Sequence, residues 1–429
     1  MQRRSTTLAL LVALLVACVA ACAPQRAPLP SAAAAPPLRV GTSGDYPPFS
    51  TRAADGGLDG FDVALARAWA RDRGRTIELV PFAWPDLERR LVAHDFDVAM
   101  SGVTVRGDRL AIAPMTATVV RTTAVLVVQA SRTASVPPDG AGMKVAVNRG
   151  GHLERVARAR LPRATLHVVD DNRSLPQLLS SGTVDGVVTD TMEAATFGVA
   201  KRVALVLSED RKAYWVAPGN DALADDLDAW LAARTADGTI EALRARHLGS
   251  APEPAETLPA ATARVADLVA RRLLLMPEVA SAKAVAGLPI EVPAREAEVL
   301  ERARAAAGGA GLAIEPYVAL VRTQMEVAKA VQLAVLAARE RPAPPDAAAV
   351  AAAKARLDGQ LRPAIDRLDA GIRAALAAGA PLGGAPADLA AALRADAPVP
   401  GFDAGQAGRL AGALLAVPAP LVKPGADSA

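Results

Sequence analysis

The stretch Thr76–Ser101, TIELVPFAWPDLERRLVAHDFDVAMS, decides the fold of the front half of this chain. Thr76 to Val80 is a β-branched and apolar run, Trp84 to Ala93 has helical spacing after a proline, and Asp97 to Ser101 is a second short strand. Strand, helix and strand at this interval imply parallel strands joined by a crossover. Outward from it, Leu38 to Gly41 reads as a strand and Phe61 to Arg73 as a helix. The rhythm restarts at Lys144 to Val147 and runs through Gly151 to Ala159, Thr165 to Val169, Leu175 to Ser181 and Asp185 to Thr189. Two such lobes, each a mostly parallel sheet with helices on both faces, imply a cleft between them.

The composition changes near residue 250. All four tryptophans (Trp69, Trp84, Trp215, Trp230) precede it, Gly249 to Pro259 is rich in proline and glutamate, and residues 250–261 read as a second linker. Beyond it alanine, leucine, arginine and glutamate dominate, and helical periods are expected at about 264–285, 294–309, 315–340, 346–379 and 386–394. The fold class is therefore an α/β two-lobed domain followed by an all-α domain. At 429 residues the chain can hold two or three cores. The formal net charge of +3 comes from interspersed residues of both signs, which excludes a nucleic-acid footprint.

Arg3 and Arg4, the apolar run Leu8 to Ala17 and the small residues after it read as an export signal over residues 1–22. The only cysteines, Cys18 and Cys22, end that signal, and each lies in a stretch resembling the lipobox of bacterial lipoproteins. Either would be lipidated, anchoring the protein to a membrane; the alternative is an ordinary cleaved signal. Both place the mature protein in the periplasm. Residues 23–37 read as a linker. With no cysteine after residue 22, neither a disulfide nor a thiolate metal site is expected.

Five polar residues stand out in the helical half: Arg272, Lys283, Arg295, Gln332 and Arg362. Arg272 and Lys283, eleven residues apart, return to one face of one helix after three turns. Arg295 follows Pro289 and Pro293 and opens a new helix. Gln332 interrupts the apolar row Val321, Met325, Ala328, Val335 and needs a buried partner. No matching set of carboxylates repeats beside these cations, so a small dianion is expected to fill the need. The alternative is a plain bundle whose arginines lie on the surface with buried stems.

From Leu38 to about Gly249, Arg39-Val40-Gly41-Thr42, Tyr46-Pro47-Pro48-Phe49, Gly60-Phe61-Asp62-Val63, Ser101-Gly102-Val103-Thr104 with Arg109, and Asp185 to Asp190 resemble the periplasmic solute-binding proteins of the amino-acid-binding type. The resemblance implies lobes that close on a small ligand whose carboxylate Thr104 and Arg109 hold; an arginine fork suits that role. A narrower resemblance, to the cyclohexadienyl dehydratases, rests on Gly44-Asp45-Tyr46, Trp84-Pro85-Asp86-Leu87, Asn148-Arg149-Gly150-Gly151 with Glu154-Arg155, Thr189-Asp190-Thr191-Met192-Glu193 and Lys212-Ala213-Tyr214. It implies conversion of prephenate to phenylpyruvate, or of arogenate to phenylalanine, with Glu193 as the general acid. The alternative for Glu193 is a capping or solvated glutamate. Asn148, Gly150 and Gly151 would seat a carboxylate at a helix N-terminus, with Asp45, Trp84, Asp190 and Lys212 also in the cleft. Relatives commonly carry Asn-Pro-Gly-Gly-Thr-Asn; Arg149 here replaces the proline, and His152-Leu153 replaces the last two, so only His152 could donate a hydrogen bond there.

Residues from about 262 to 395, within a helical domain expected over 262–425, resemble the secreted all-helical chorismate mutases, through Ala270-Arg271-Arg272-Leu273, Val279-Ala280 with Lys283, Gly287-Leu288-Pro289-Ile290-Glu291, Arg295-Glu296, Gln324, Ala328 to Gln332 and Leu361-Arg362-Pro363. The resemblance implies a cofactor-free, metal-free pericyclic rearrangement of chorismate to prephenate. Arg272, Arg295 and Arg362 would grip two carboxylates, Lys283 and Gln332 would donate to the ether oxygen, and Glu296 would accept from the ring hydroxyl. Val292 departs from a frequent aspartate. Secreted helical mutases often dimerise, which makes a homodimer through this domain one alternative. An amino-acid-sensing domain fused to a mutase is the alternative to a bifunctional enzyme, and the residues leave prephenate and arogenate undivided.

Overall fold

The first strand, Leu38–Thr42, is buried at every position except the half-buried Arg39, as suits a strand covered on both faces. In the computed structural model, which describes residues 36–132, 135–249, 258–339 and 344–420, it pairs in parallel with Ile77–Pro81 and with Val98–Ala99. Gly41 has no side chain because the Phe96 ring lies against it; a Cβ there would sit 2.7 Å from the ring. Trp215–Val216 closes this four-stranded sheet in antiparallel sense. The helix Phe61–Asp72 packs Phe61, Leu65, Ala66 and Trp69 into the lobe core.

The second lobe has five strands, in the order Lys201–Lys212, Val120–Gln129, Gly186–Asp190, Lys144–Asn148, Thr165–Val169. Its last three strands run parallel, as expected. The two long strands at the other edge are antiparallel and were not expected. They correct the reading of a mostly parallel sheet: Lys201–Lys212 begins and ends in charged residues, and its partner is about eighty residues away, so no local pattern marks the pair. The same pair leads to the crossovers between lobes. These lie side by side, Thr116 N–H donating to the Tyr214 carbonyl and Val119 N–H to that of Lys212.

The helical half contains Ala260–Leu274, Met276–Ala286, Pro293–Gly309, Ile314–Ala337, Ala347–Arg356, Arg362–Ala377, Pro386–Asp396 and Ala404–Leu415. Two expectations are corrected. The span 264–285 is two helices, because Pro277 starts a new one after Leu275; Arg272 and Lys283 therefore share a cavity but not a helix. The span 346–379 is interrupted by a π-helical turn, Leu357–Leu361, immediately before Pro363, which has no N–H to continue the ladder. The helix Ala404–Leu415 was not anticipated, although Asp403 and Gln406 form a capping box at its start.

From Leu38 onward the chain is one compact unit, and buried residues of the first lobe and of the helices share one apolar cluster. The stretch read as an export signal, with Cys18 and Cys22, most of the expected linker 23–37 and residues 250–257 of the expected second linker lie outside the described residues. Among the described residues no helix is long and apolar enough to cross a membrane.

Candidate functional sites

The lobes frame a half-open cleft lined by Tyr46, Trp84, Gly102, Thr104, Arg109, Asn148, Gly151, His152, Leu153, Asn172 and Lys212. Arg109 stands on the short helix Gly107–Ile112, donates 2.8 Å to the Thr104 carbonyl and packs over the Trp215 ring. Burial, then the nearby Arg106, push its guanidinium down to about 9, so it stays a cation at neutral pH. Lys212 ends the long edge strand, 2% exposed. Its Nζ reaches Tyr46 Oη and Thr104 Oγ1 at 3.1 Å and Asp190 at 3.2 Å.

Asp190 is not free for a ligand. It caps the helix Thr191–Thr196 by accepting from the Met192 and Glu193 amides, and it also accepts from Tyr46 Oη. Glu193, 1% exposed, lies behind the cavity wall rather than on it, accepting from Thr189 Oγ1. Burial raises its carboxyl well above the usual range, helped by Asp190 and Asp45, which favours the neutral form. Asp45 also sits behind the lining, accepting from the Trp84 indole at 3.3 Å and the Asn172 amide at 3.4 Å. Gly150 faces Pro85 instead of the cavity, and a Cβ there would lie 2.8 Å from the proline Cα.

His152 differs from expectation. Burial lowers its pKa, and a neutral ring can only donate through Nε2 to the Asp210 carboxylate, 2.9 Å away. What remains is an unpartnered lone pair on buried Nδ1, so His152 offers an acceptor rather than the expected donor. Asn148 Nδ2 and Asn172 Oδ1 are likewise buried without partners and line the cavity. Tyr46 and Asn172 escaped the sequence reading; Tyr46 sits in a quoted motif, but nothing local indicates its contacts with Lys212 and Asp190. The lobes are held together over the cavity by Arg155, whose guanidinium meets Asp108 at 2.8 Å.

In the helical half, Arg272, Lys283, Arg295, Glu296, Gln332 and Arg362 converge from five helices on one open cavity of about 1840 Å3. Arg272 Nε donates 2.7 Å to Asp369, while its buried Nη1 has no partner. Lys283 donates to the Ile290 carbonyl at 3.2 Å, and burial followed by Arg362 lowers its pKa. Gln332 Nε2 falls back on its own helix, on the Ala328 carbonyl at 3.2 Å, and its buried Oε1 is unpartnered. Glu296 is held at 3.0 Å by Lys329, which joins the lining. Val292 also lines it.

The expectation that these cations lack carboxylates is corrected: Arg295 pairs with Glu298, Arg362 with Asp358 and Arg272 with Asp369. The first two pairs are one helical turn long and at least half exposed, so they hold their arginines weakly and leave them free to turn to a ligand. Asp369, Arg373 and Tyr317 line the cavity as well and were missed, since they lie on long helices among many similar residues.

Residues 38–250 match the bacterial extracellular solute-binding proteins, family 3, and residues 260–333 match chorismate mutase type II; Arg362 lies beyond the second match. A cyclohexadienyl dehydratase of Pseudomonas aeruginosa is 37% identical over 161 residues, which are 37% of this chain and 60% of that protein. An L-cystine-binding protein of Escherichia coli K12 is 27% identical over 223 residues, 50% of this chain and 83% of that protein. An L-arginine-binding protein of Pseudomonas aeruginosa is 31% identical over 167 residues, 38% and 64% of the two chains. The crystal structure of an ancestral amino acid-binding protein, described as a precursor of cyclohexadienyl dehydratase, is 28% identical with a TM-score of 0.46, covering 49% of this chain and 95% of that one. The chain thus carries a family 3 solute-binding domain followed by a chorismate mutase type II domain.

Proposed function

We propose that the chain is a bifunctional enzyme of phenylalanine biosynthesis working in the periplasm, its helical domain converting chorismate to prephenate and its two-lobed domain converting prephenate to phenylpyruvate, carbon dioxide and water. The observation that carries the second half is the charge of the cleft: its lining holds Arg109 and Lys212 and no carboxylate, so one carboxylate of a dicarboxylate keto acid meets the Arg109 fork and the other meets Lys212 in competition with Asp190. The ammonium of an amino acid would find only the uncharged acceptors His152 Nδ1 and Asn172 Oδ1, because Asp190 is already paired with Lys212. This favours prephenate over arogenate, and an enzyme over an amino-acid receptor.

In the mutase cavity Arg272, Arg295 and Arg362 hold the two carboxylates of chorismate in the compact conformer, while Lys283 and Gln332 stabilise the charge that grows on the breaking ether oxygen. Glu296 takes the ring hydroxyl. In the cleft, Glu193 gives its proton to the departing hydroxyl as the ring carboxylate leaves as carbon dioxide and the ring becomes aromatic. No bond to the protein forms in either step.

The second reading, a receptor domain fused to a mutase, draws on the amino-acid-binding relatives and on the position of Glu193 behind the wall. Purified protein given chorismate is expected to accumulate phenylpyruvate, measured by its enol absorbance. Prephenate accumulating without phenylpyruvate would establish the receptor reading in its place.

A further inference from the structure

The long edge strand of the second lobe ends in Asp210, Arg211 and Lys212. Side chains on a strand alternate, so Asp210 and Lys212 face the cleft, meeting His152 and Asp190, while Arg211 points the other way. It points into the helical domain. Arg211, 6% exposed, pairs with Asp267 of the helix Ala260–Leu274 and donates 2.8 Å to the carbonyl of Asp396. The same Asp267 accepts from Thr118 Oγ1 at 3.2 Å, on the other crossover between the lobes. Arg271, bound to Asp267 and 2% exposed, donates 2.7 Å to the Met115 carbonyl on that crossover. The helical domain therefore grips both hinge segments through one buried ionic cluster.

A second contact is independent of charge. Gly107 opens the short helix that carries Asp108 and Arg109, and a Cβ at Gly107 would stand 1.9 Å from the carbonyl oxygen of Leu274. The two-lobed domain thus has a backbone surface fitted to the helical domain at the root of a cavity-lining arginine.

We infer that Asp267 is a positioning residue for the two-lobed cleft, acting through Arg211 on Lys212, and that the mutase domain holds the dehydratase site in its closed geometry. The inference rests on the dehydratase reading above for its catalytic consequence. Three backbone hydrogen bonds report the hinge geometry: Val105 N–H to the Arg211 carbonyl, Val119 N–H to that of Lys212, and Ala213 N–H to that of Val103.

The test uses the full chain with Asp267→Asn, Asp267→Glu and Gly107→Ala, reading hydrogen exchange at those three amides, turnover of supplied prephenate and consumption of chorismate. Asp267→Asn and Gly107→Ala are expected to speed exchange at the three amides at least tenfold and to lower kcat on prephenate about tenfold. Asp267→Glu restores most of both, and Asp267→Asn consumes chorismate within twofold of wild type. Unchanged hinge exchange overturns the inference, as does a parallel fall of both activities, which marks a merely structural role. A wild-type chain that makes no phenylpyruvate from prephenate refutes the dehydratase reading, and the exchange measurement then decides the positioning claim alone.

Discussion

Replacing Glu193 by glutamine is expected to lower phenylpyruvate formation from prephenate by about 10³-fold, within the range a general acid supplies, or about 4 kcal/mol of barrier. Chorismate consumption should stay within twofold of wild type, since Glu193 belongs to the two-lobed domain and lines neither cavity. Glutamine keeps the shape of the protonated side chain and loses the proton. The buried carboxyl has its pKa raised by desolvation first and by Asp190 and Asp45 next. With Glu193 as the proposed acid the active form is the protonated one, so dehydration is expected to fall as pH rises through that elevated pKa. The stability linkage has the same sign: the contribution of the buried neutral carboxyl is fully present below the ordinary carboxylate pKa and is lost as pH rises from there through the elevated one, a loss that Glu193→Gln removes. Glu193 must leave Thr189 to reach substrate, a rearrangement on the scale that catalytic groups make when the substrate-free site fills. Phenylpyruvate formation retained in Glu193→Gln would reject the role.

Lys283→Ala is expected to do the reverse, lowering chorismate turnover by about 10² to 10³-fold, as loss of one donor to a developing oxyanion does, and leaving dehydration of supplied prephenate intact. The effect should lie in kcat, because the arginines proposed to bind the carboxylates remain. Burial and then Arg362 lower the lysine pKa. The mutase rate should therefore fall with rising pH at a lower pH than an exposed lysine would dictate. Folding should not suffer, since removing a half-buried cation relieves desolvation. A mutase rate unchanged by Lys283→Ala would take the residue out of the site.

The two fold classes were legible because both periods are local. Val40, Leu79 and Val98 mark strands by their immediate neighbours, and the alanine-rich segments mark helices by theirs. Arg272, Lys283, Arg295, Gln332 and Arg362 could be singled out as polar residues at helix-core spacing, and the structure brings all of them to one cavity. Glu193 was legible as an acid three residues past Asp190, but its burial behind the wall was not, because burial depends on what the opposite lobe covers. The donor expected of His152 failed for a related reason: Asp210, fifty-eight residues away, takes it.

The fold classes, the break near residue 250 and the polar residues of the helical half follow from periodicity and composition within a few turns of chain. That the cleft lining carries no carboxylate, that Lys212 pairs with Asp190, and that Asp267 reaches across to the hinge at Arg211 came from the folded chain alone. Those outcomes depend on which charges are buried together. Pairing across 22 to 56 residues is set by packing, which leaves no local signature in the chain.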